Sequence, residues 1–153
     1  MKITDMLKKE FVIEDLKSKN KQDVLAELSG VFLTSGLKLD ANFLVKILQE
    51  REKQGSTGIG DGIAIPHGKL DGLTDMIVSF GRSHDGIAFD AMDNRPVHIF
   101  FLLMAPENSA GPYLKTLAKL SKMLKDASFR KTLMAAKTRD QLYDVIAFKD
   151  EEC

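Results

Sequence analysis

One histidine sits in an unusual setting. The segment Gly55-Ser56-Thr57-Gly58-Ile59-Gly60-Asp61-Gly62-Ile63-Ala64-Ile65-Pro66-His67-Gly68-Lys69 is dense in glycine and ends on Pro-His-Gly. Neutral imidazole is a competent phosphoryl acceptor, because its unperturbed pKa lies near about 6.5. One ring nitrogen can attack while a hydrogen bond fixes the other. Pro66 locks its own φ and holds Ile65 extended. Gly68 removes side-chain bulk on the other side, so His67 is expected at a stiff strand end with open space beside it. That placement suits a nucleophile that must meet another macromolecule; a lone histidine can equally be structural.

Glycine costs backbone entropy on folding, so a loop this rich in it exists where the chain turns sharply or approaches something closely. Backbone amides near Gly58 and Gly60, with the Ser56 and Thr57 hydroxyls, could receive an anion. The alternative is a tight but inert connection. The loop lacks the Gly-Lys-Ser/Thr end of a P-loop and is not a dinucleotide fingerprint opening a helix. Arg51 follows Leu44 by seven and Ile47 by four, continuing the apolar stripe of its helix. A charge on that stripe needs a partner. Its guanidinium either points at the anion the loop receives or closes a salt bridge at the helix end.

The other candidates are weaker. His98 lies within the apolar stretch Val97-His98-Ile99-Phe100 and reads as a core or sheet-face residue, while His84 falls in an exposed loop. No two histidines have metal-site spacing. The lone Cys153 follows Asp150-Glu151-Glu152, and neighbouring anions disfavour a reactive thiolate.

The elements that must position His67 follow from periodicity. Phe11-Val12-Ile13 is a candidate strand. A helix is expected from about Lys21 to Thr34 behind the N-cap Asn20, closed by Gly36. A second starts behind Asp40, buries Phe43, Leu44, Ile47 and Leu48, and ends at Gly55. Ile63-Ala64-Ile65, Met76 to Arg82 and Val97 to Met104 read as strands, the last apolar enough to be central. Asp93-Asn94 reads as the turn before it. Helices are expected over Pro112–Lys125, Phe129–Ala136 and Asp140–Phe148, with Thr138 and Gln141 as a capping box for the last. Helices flanking a small sheet give an α/β or α+β class.

At 153 residues the chain fits one domain. Its 22 basic and 22 acidic residues balance, which argues against bulk binding to nucleic acid. The longest apolar run, Ile99 to Ala105, is far short of the roughly 20 residues of a membrane helix. No signal peptide is visible at Met1-Lys2-Ile3-Thr4-Asp5, so a cytoplasmic protein is expected.

The segment Ile59-Gly60-Asp61-Gly62-Ile63-Ala64-Ile65-Pro66-His67-Gly68 resembles the active-site signature of enzyme IIA proteins of the bacterial phosphotransferase system. The branch is the fructose–mannitol type, which includes nitrogen-regulatory IIA proteins. Glu50-Arg51-Glu52, Asp90 through His98 and Leu103 through Glu107 also match its pattern. The resemblance spans nearly the whole chain and makes residues 1–153 one such domain. It implies a mixed, five-stranded sheet flanked by helices and a His67 that accepts phosphate from the phosphohistidine of HPr or a relative. His67 would pass it to a IIB partner or serve as a regulatory flag. It further implies that Arg51 steadies the phosphoryl group, that Nε2 carries it, and that no metal or organic cofactor takes part. Many members have a second active-site histidine where this chain has Tyr113, at the start of the helix after Ala105-Pro106-Glu107. A phenol can donate a hydrogen bond to phosphate but cannot become a cation near neutral pH.

Overall fold

The computed structural model describes residues 1–153. Its organising element is the strand β6 (Val97–Pro106), buried along nearly its whole length because both its faces and both its edges are covered. On one side it pairs antiparallel with β5 (Ile77–Ile87), and β5 pairs in parallel with β1 (Val12–Ile13). On the other side lie β3 (Ile63–Ala64) and then β4 (His67–Leu70), both parallel to β6, while β2 (Gly58–Gly60) forms an antiparallel hairpin with β3. The mixed sheet therefore has six strands, in the order β1-β5-β6-β3-β2 with β4 also on β6. That is one strand more than the resemblance implies, and neither β2 nor His67's own β4 reads as a strand from its residues.

Five helices surround this sheet. The cap of α1 (Lys21–Gly30) is Asn20, whose side chain accepts from the Asp23 amide. The helix expected to reach Thr34 tightens into a 3₁₀ turn over Val31–Ser35, which Gly36 closes at φ 78°. Asp40 caps α2 (Ala41–Lys53) by accepting from the Asn42 and Phe43 amides. Leu44 and Leu48 of that helix are buried, but Phe43 is 51% exposed, against expectation. One helical residue separates it from Leu44, about 100° of rotation, which carries it off the buried stripe.

The last third holds α3 (Ala110–Lys125), α4 (Ala127–Ala135) and α5 (Arg139–Glu152). Asp126 caps α4 and moves its start two residues ahead of Phe129. Thr138 caps α5, but Gln141 reaches the Lys137 amide at 2.7 Å, one residue outside a reciprocal capping box.

Side-chain alternation on β5 shows that helices cover both faces. Ser79 donates to the Leu28 carbonyl of α1 at 2.8 Å. Three residues on, and so on the opposite face, buried Arg82 donates to Leu133 at 2.8 Å, to Ala136, and to Glu14 at 3.1 Å. A single cluster of 36 buried apolar residues joins sheet and helices. β5 runs five residues beyond the expected Arg82, so His84 lies exposed in a strand rather than in a loop.

Candidate active site

Between β3 and β4 the chain leaves the ladder for two residues, Ile65 and Pro66. Leu103 restores the pairing by donating to the Pro66 carbonyl at 2.9 Å. The Ile65 carbonyl instead turns toward His67, whose Nδ1 lies 2.6 Å from it. A carbonyl oxygen only accepts, so this bond puts the imidazole proton on Nδ1. Nε2 keeps its lone pair. Burial is the main cause that lowers the His67 pKa below its usual 6.5, and Arg51 lowers it further; the Ile65 carbonyl and Glu52 oppose them. Near neutral pH the ring is thus uncharged and nucleophilic at Nε2.

Three further groups surround it. The Tyr113 ring, in the first turn of α3, meets the imidazole edge-on with centroids 5.9 Å apart. Burial pushes its phenol up to about 12, against the opposing pull of Arg51, so the hydroxyl keeps its proton. Arg51, in the last turn of α2, donates through Nη1 to the Gly55 carbonyl at 2.8 Å. That bond uses one of five guanidinium N–H groups. Lys69 shares a strand face with His67, two residues on, and its Nζ lies 5.5 Å from the centre of the Tyr113 ring. Arg51, Lys69, Tyr113, Phe43 and Lys46 line one open cavity of 490 Å³, so a positive, partly apolar surface adjoins the imidazole. A larger cavity of 740 Å³ lies by His98 and α4 and contains none of the expected site residues.

The glycine segment has a structural use. Gly60, Asp61 and Gly62 all have positive φ (98°, 57° and 75°), and together they make the turn of the β2–β3 hairpin. At Gly58 a Cβ would lie 2.9 Å from the Ala91 Cβ, so close approach excludes a side chain there. The Gly58 amide donates to the Ser56 Oγ at 3.0 Å, and Ser56 donates to the Phe89 carbonyl at 2.9 Å. The Thr57 hydroxyl is buried and donates to the Glu52 carboxylate. The Ser56 and Thr57 hydroxyls and the Gly58 amide, expected as anion ligands, are committed to the protein's own groups because they fasten the hairpin to its surroundings. The space expected beside Gly68 is also filled: Ile47 of α2 packs there.

His98 bonds the Ser83 carbonyl through Nδ1 at 2.8 Å, as a sheet-face histidine does. Residue-by-residue reading missed Lys69 and Glu52. Recognising β4 as a strand would have placed Lys69 beside His67 by period-two spacing. Glu52 falls within the Glu50-Arg51-Glu52 match, but nothing local marks it as buried, since only the hairpin's return to α2 covers it. No helix is long and apolar enough to cross a membrane.

Comparison with known proteins identifies the fold and its relatives. The protein is 38% identical over 148 residues to a nitrogen regulatory protein of Bradyrhizobium diazoefficiens, covering 96% of this chain and 95% of that one. It is 36% identical over 151 residues to the fructose-specific EIIABC component of Bacillus subtilis, covering 99% of this chain but only 24% of that protein. The crystal structure of nitrogen regulatory protein IIA-Ntr from Neisseria meningitidis superimposes with a TM-score of 0.87 at 31% identity, covering 94% of this chain and 98% of that one. Residues 5–149 match the family model for the phosphoenolpyruvate-dependent sugar phosphotransferase system, EIIA 2. With a mixed sheet that leads a Pro-His strand to its surface, the chain belongs to this EIIA type 2 family of phosphotransferase components.

Proposed function

We propose that this protein is a cytoplasmic phosphoryl carrier of the fructose–mannitol class. His67 takes a phosphoryl group from the phosphohistidine of an HPr-like protein and passes it to a IIB partner. The carrying observation is the 2.6 Å bond from Nδ1 to the Ile65 carbonyl, which leaves Nε2 as the nucleophile. In the transfer, the Nε2 lone pair forms the new N–P bond. The donor's N–P bond breaks, and its electron pair returns to the donor nitrogen. A donor ring protonated on its other nitrogen leaves as neutral imidazole, while His67 keeps its Nδ1 proton and becomes the charged ring. Negative charge spreads over the three equatorial oxygens, so catalysis is positioning plus electrostatic stabilisation. Arg51 and Lys69 supply positive charge, and Tyr113 supplies a hydroxyl donor in place of a second histidine. Ser56, Thr57, Gly58 and Gly60 serve by holding the hairpin that presents His67.

The test is incubation with HPr, the first enzyme and phosphoenolpyruvate, followed by mass measurement at alkaline pH. One phosphoryl group is expected on the wild type and none on His67→Ala. An unlabelled wild type with a competent donor, or a labelled His67→Ala, refutes the proposal.

A second reading, a nitrogen-type regulator that binds other proteins according to its phosphorylation state, is favoured by the near full-length match to the Bradyrhizobium protein. Affinity capture with phosphorylated and unphosphorylated protein separates the two. State-dependent capture of a regulatory target supports the regulator, and transfer onward to a IIB domain supports the carrier.

A further inference from the structure

Glu52 is a carboxylate that the transfer chemistry leaves without a task. It is buried next to Arg51 in the last turn of α2, with its side chain only 5% exposed. It accepts from the Thr57 amide at 3.1 Å and from the Thr57 hydroxyl. Lys21, at the start of α1, lies 3.1 Å from it, and Lys21 is itself held 4.8 Å from the centre of the Phe89 ring. From Thr57 the bonding continues toward the imidazole. The Ile65 amide donates to the Thr57 carbonyl at 3.1 Å, and the Ile65 carbonyl accepts from His67 Nδ1.

A buried carboxylate carries a solvation penalty of several kcal/mol, so its presence calls for an explanation beyond packing. Thr57 could be capped by a neutral amide side chain. What a neutral group could not provide is negative charge near a ring that turns cationic during transfer. Arg51 faces the same site with positive charge that suits the phosphoryl oxygens but opposes charge on the ring. Glu52 is the one buried carboxylate acting on that ring, and its charge favours the protonated imidazole.

We propose that Glu52 is a positioning residue for His67: clamped by Lys21 and Thr57, it fixes the Ile65 carbonyl that orients the imidazole and offsets the cationic ring formed in transfer. Lys21 sets how much of that negative charge His67 feels. This inference rests on His67 as the phosphoryl acceptor, but its electrostatic part can be measured without phosphorylation.

The test uses Glu52→Gln and Lys21→Gln in the full chain. Glutamine keeps an oxygen for the Thr57 amide and removes the charge; Lys21→Gln keeps Glu52 and removes its neutralising partner. The His67 titration midpoint is followed by imidazole NMR in the unphosphorylated proteins. The midpoint is expected to fall in Glu52→Gln and to rise in Lys21→Gln. A merely structural clamp gives no such opposition of sign. Single-turnover phosphorylation of Glu52→Gln by phosphorylated HPr is expected to slow by about tenfold, with the HPr concentration for half-maximal rate unchanged. A folded Glu52→Gln whose midpoint matches wild type and whose rate stays within twofold overturns the proposal. Should Glu52→Gln fail to fold, Lys21→Gln decides alone, and an unmoved or lowered midpoint overturns it. A wild type that accepts no phosphoryl group refutes the carrier function instead, and the two midpoints still decide the electrostatic role.

Discussion

Gly68→Ala tests whether close contact between α2 and β4 holds Arg51 beside His67. A Cβ at position 68 would lie 2.9 Å from Ile47 Cγ2 and 3.5 Å from Met104 Cε. Comfortable carbon–carbon contact begins near about 3.5 Å, so α2 and β4 must separate by roughly half an ångström. Met104 can swing away, but Ile47 is β-branched and stiff at χ1. Overpacking of this kind costs about 1–3 kcal/mol. The loss of glycine freedom in the unfolded chain returns about 0.4–1 kcal/mol. The net destabilisation is therefore about 0–2.6 kcal/mol, centred on about 1.3, and at that centre Tm falls by about 3–5 °C for a chain of this size. Urea denaturation of Gly68→Ala, Ile47→Ala and the double variant measures it. With Ile47 cut back to Ala, the clash disappears and Gly68→Ala should cost nothing. Equal costs in both backgrounds, within the ~0.5 kcal/mol expected of independent sites, would refute the contact as the cause. Phosphorylation of Gly68→Ala should also be slower, because the helix that displaces is the one carrying Arg51.

Other perturbations report on separate parts of the molecule. Tyr113→Phe keeps the edge contact with His67 and loses the donor, so phosphoryl transfer should fall on the order of tenfold with Tm unchanged; an unaltered rate would remove the hydroxyl from the site. Arg82→Leu strips the Glu14, Leu133 and Ala136 carbonyls of a buried donor and should cost about 3 kcal/mol in urea denaturation. The folded-state pKa of His67 lies below its ordinary value, so between that folded value and about 6.5 the unfolded chain binds more protons. Stability should therefore rise with pH through that window and level off above it. In His67→Asn this slope should vanish, and a slope that survives would assign it to another group.

Much of the scaffold is legible because its signals are local. Asn20, Asp40 and Thr138 cap helices where their side chains suit the role, and the apolar run from Val97 marks the central strand without reference to anything distant. His67 is legible through its neighbours Pro66 and Gly68. What stays hidden depends on contacts made far along the chain. His-Gly-Lys-Leu has no strand pattern of its own and becomes β4 because β6 offers an edge to pair with. The glycines that suggest an anion cradle are needed by a hairpin turn and by Ala91, which is 33 residues beyond Gly58. Phe43 escapes the buried stripe because helical phase separates it from Leu44. Lys69 becomes a neighbour of Tyr113 only once β4 and α3 have both formed.

The acceptor that fixes the His67 tautomer is a main-chain carbonyl, on the edge of its segment that faces away from β6. Every amino acid carries that carbonyl. No side-chain replacement at position 65 can delete it, so the choice of reacting nitrogen tolerates sequence drift there as long as the backbone path survives. Vulnerability moves to the path itself. Changes that break the bond from the Ile65 amide to the Thr57 carbonyl would let this edge turn, carry the carbonyl away from the ring and release it to either tautomer. A lesion in backbone pairing would then appear as lost chemistry, with every side chain of the site still present.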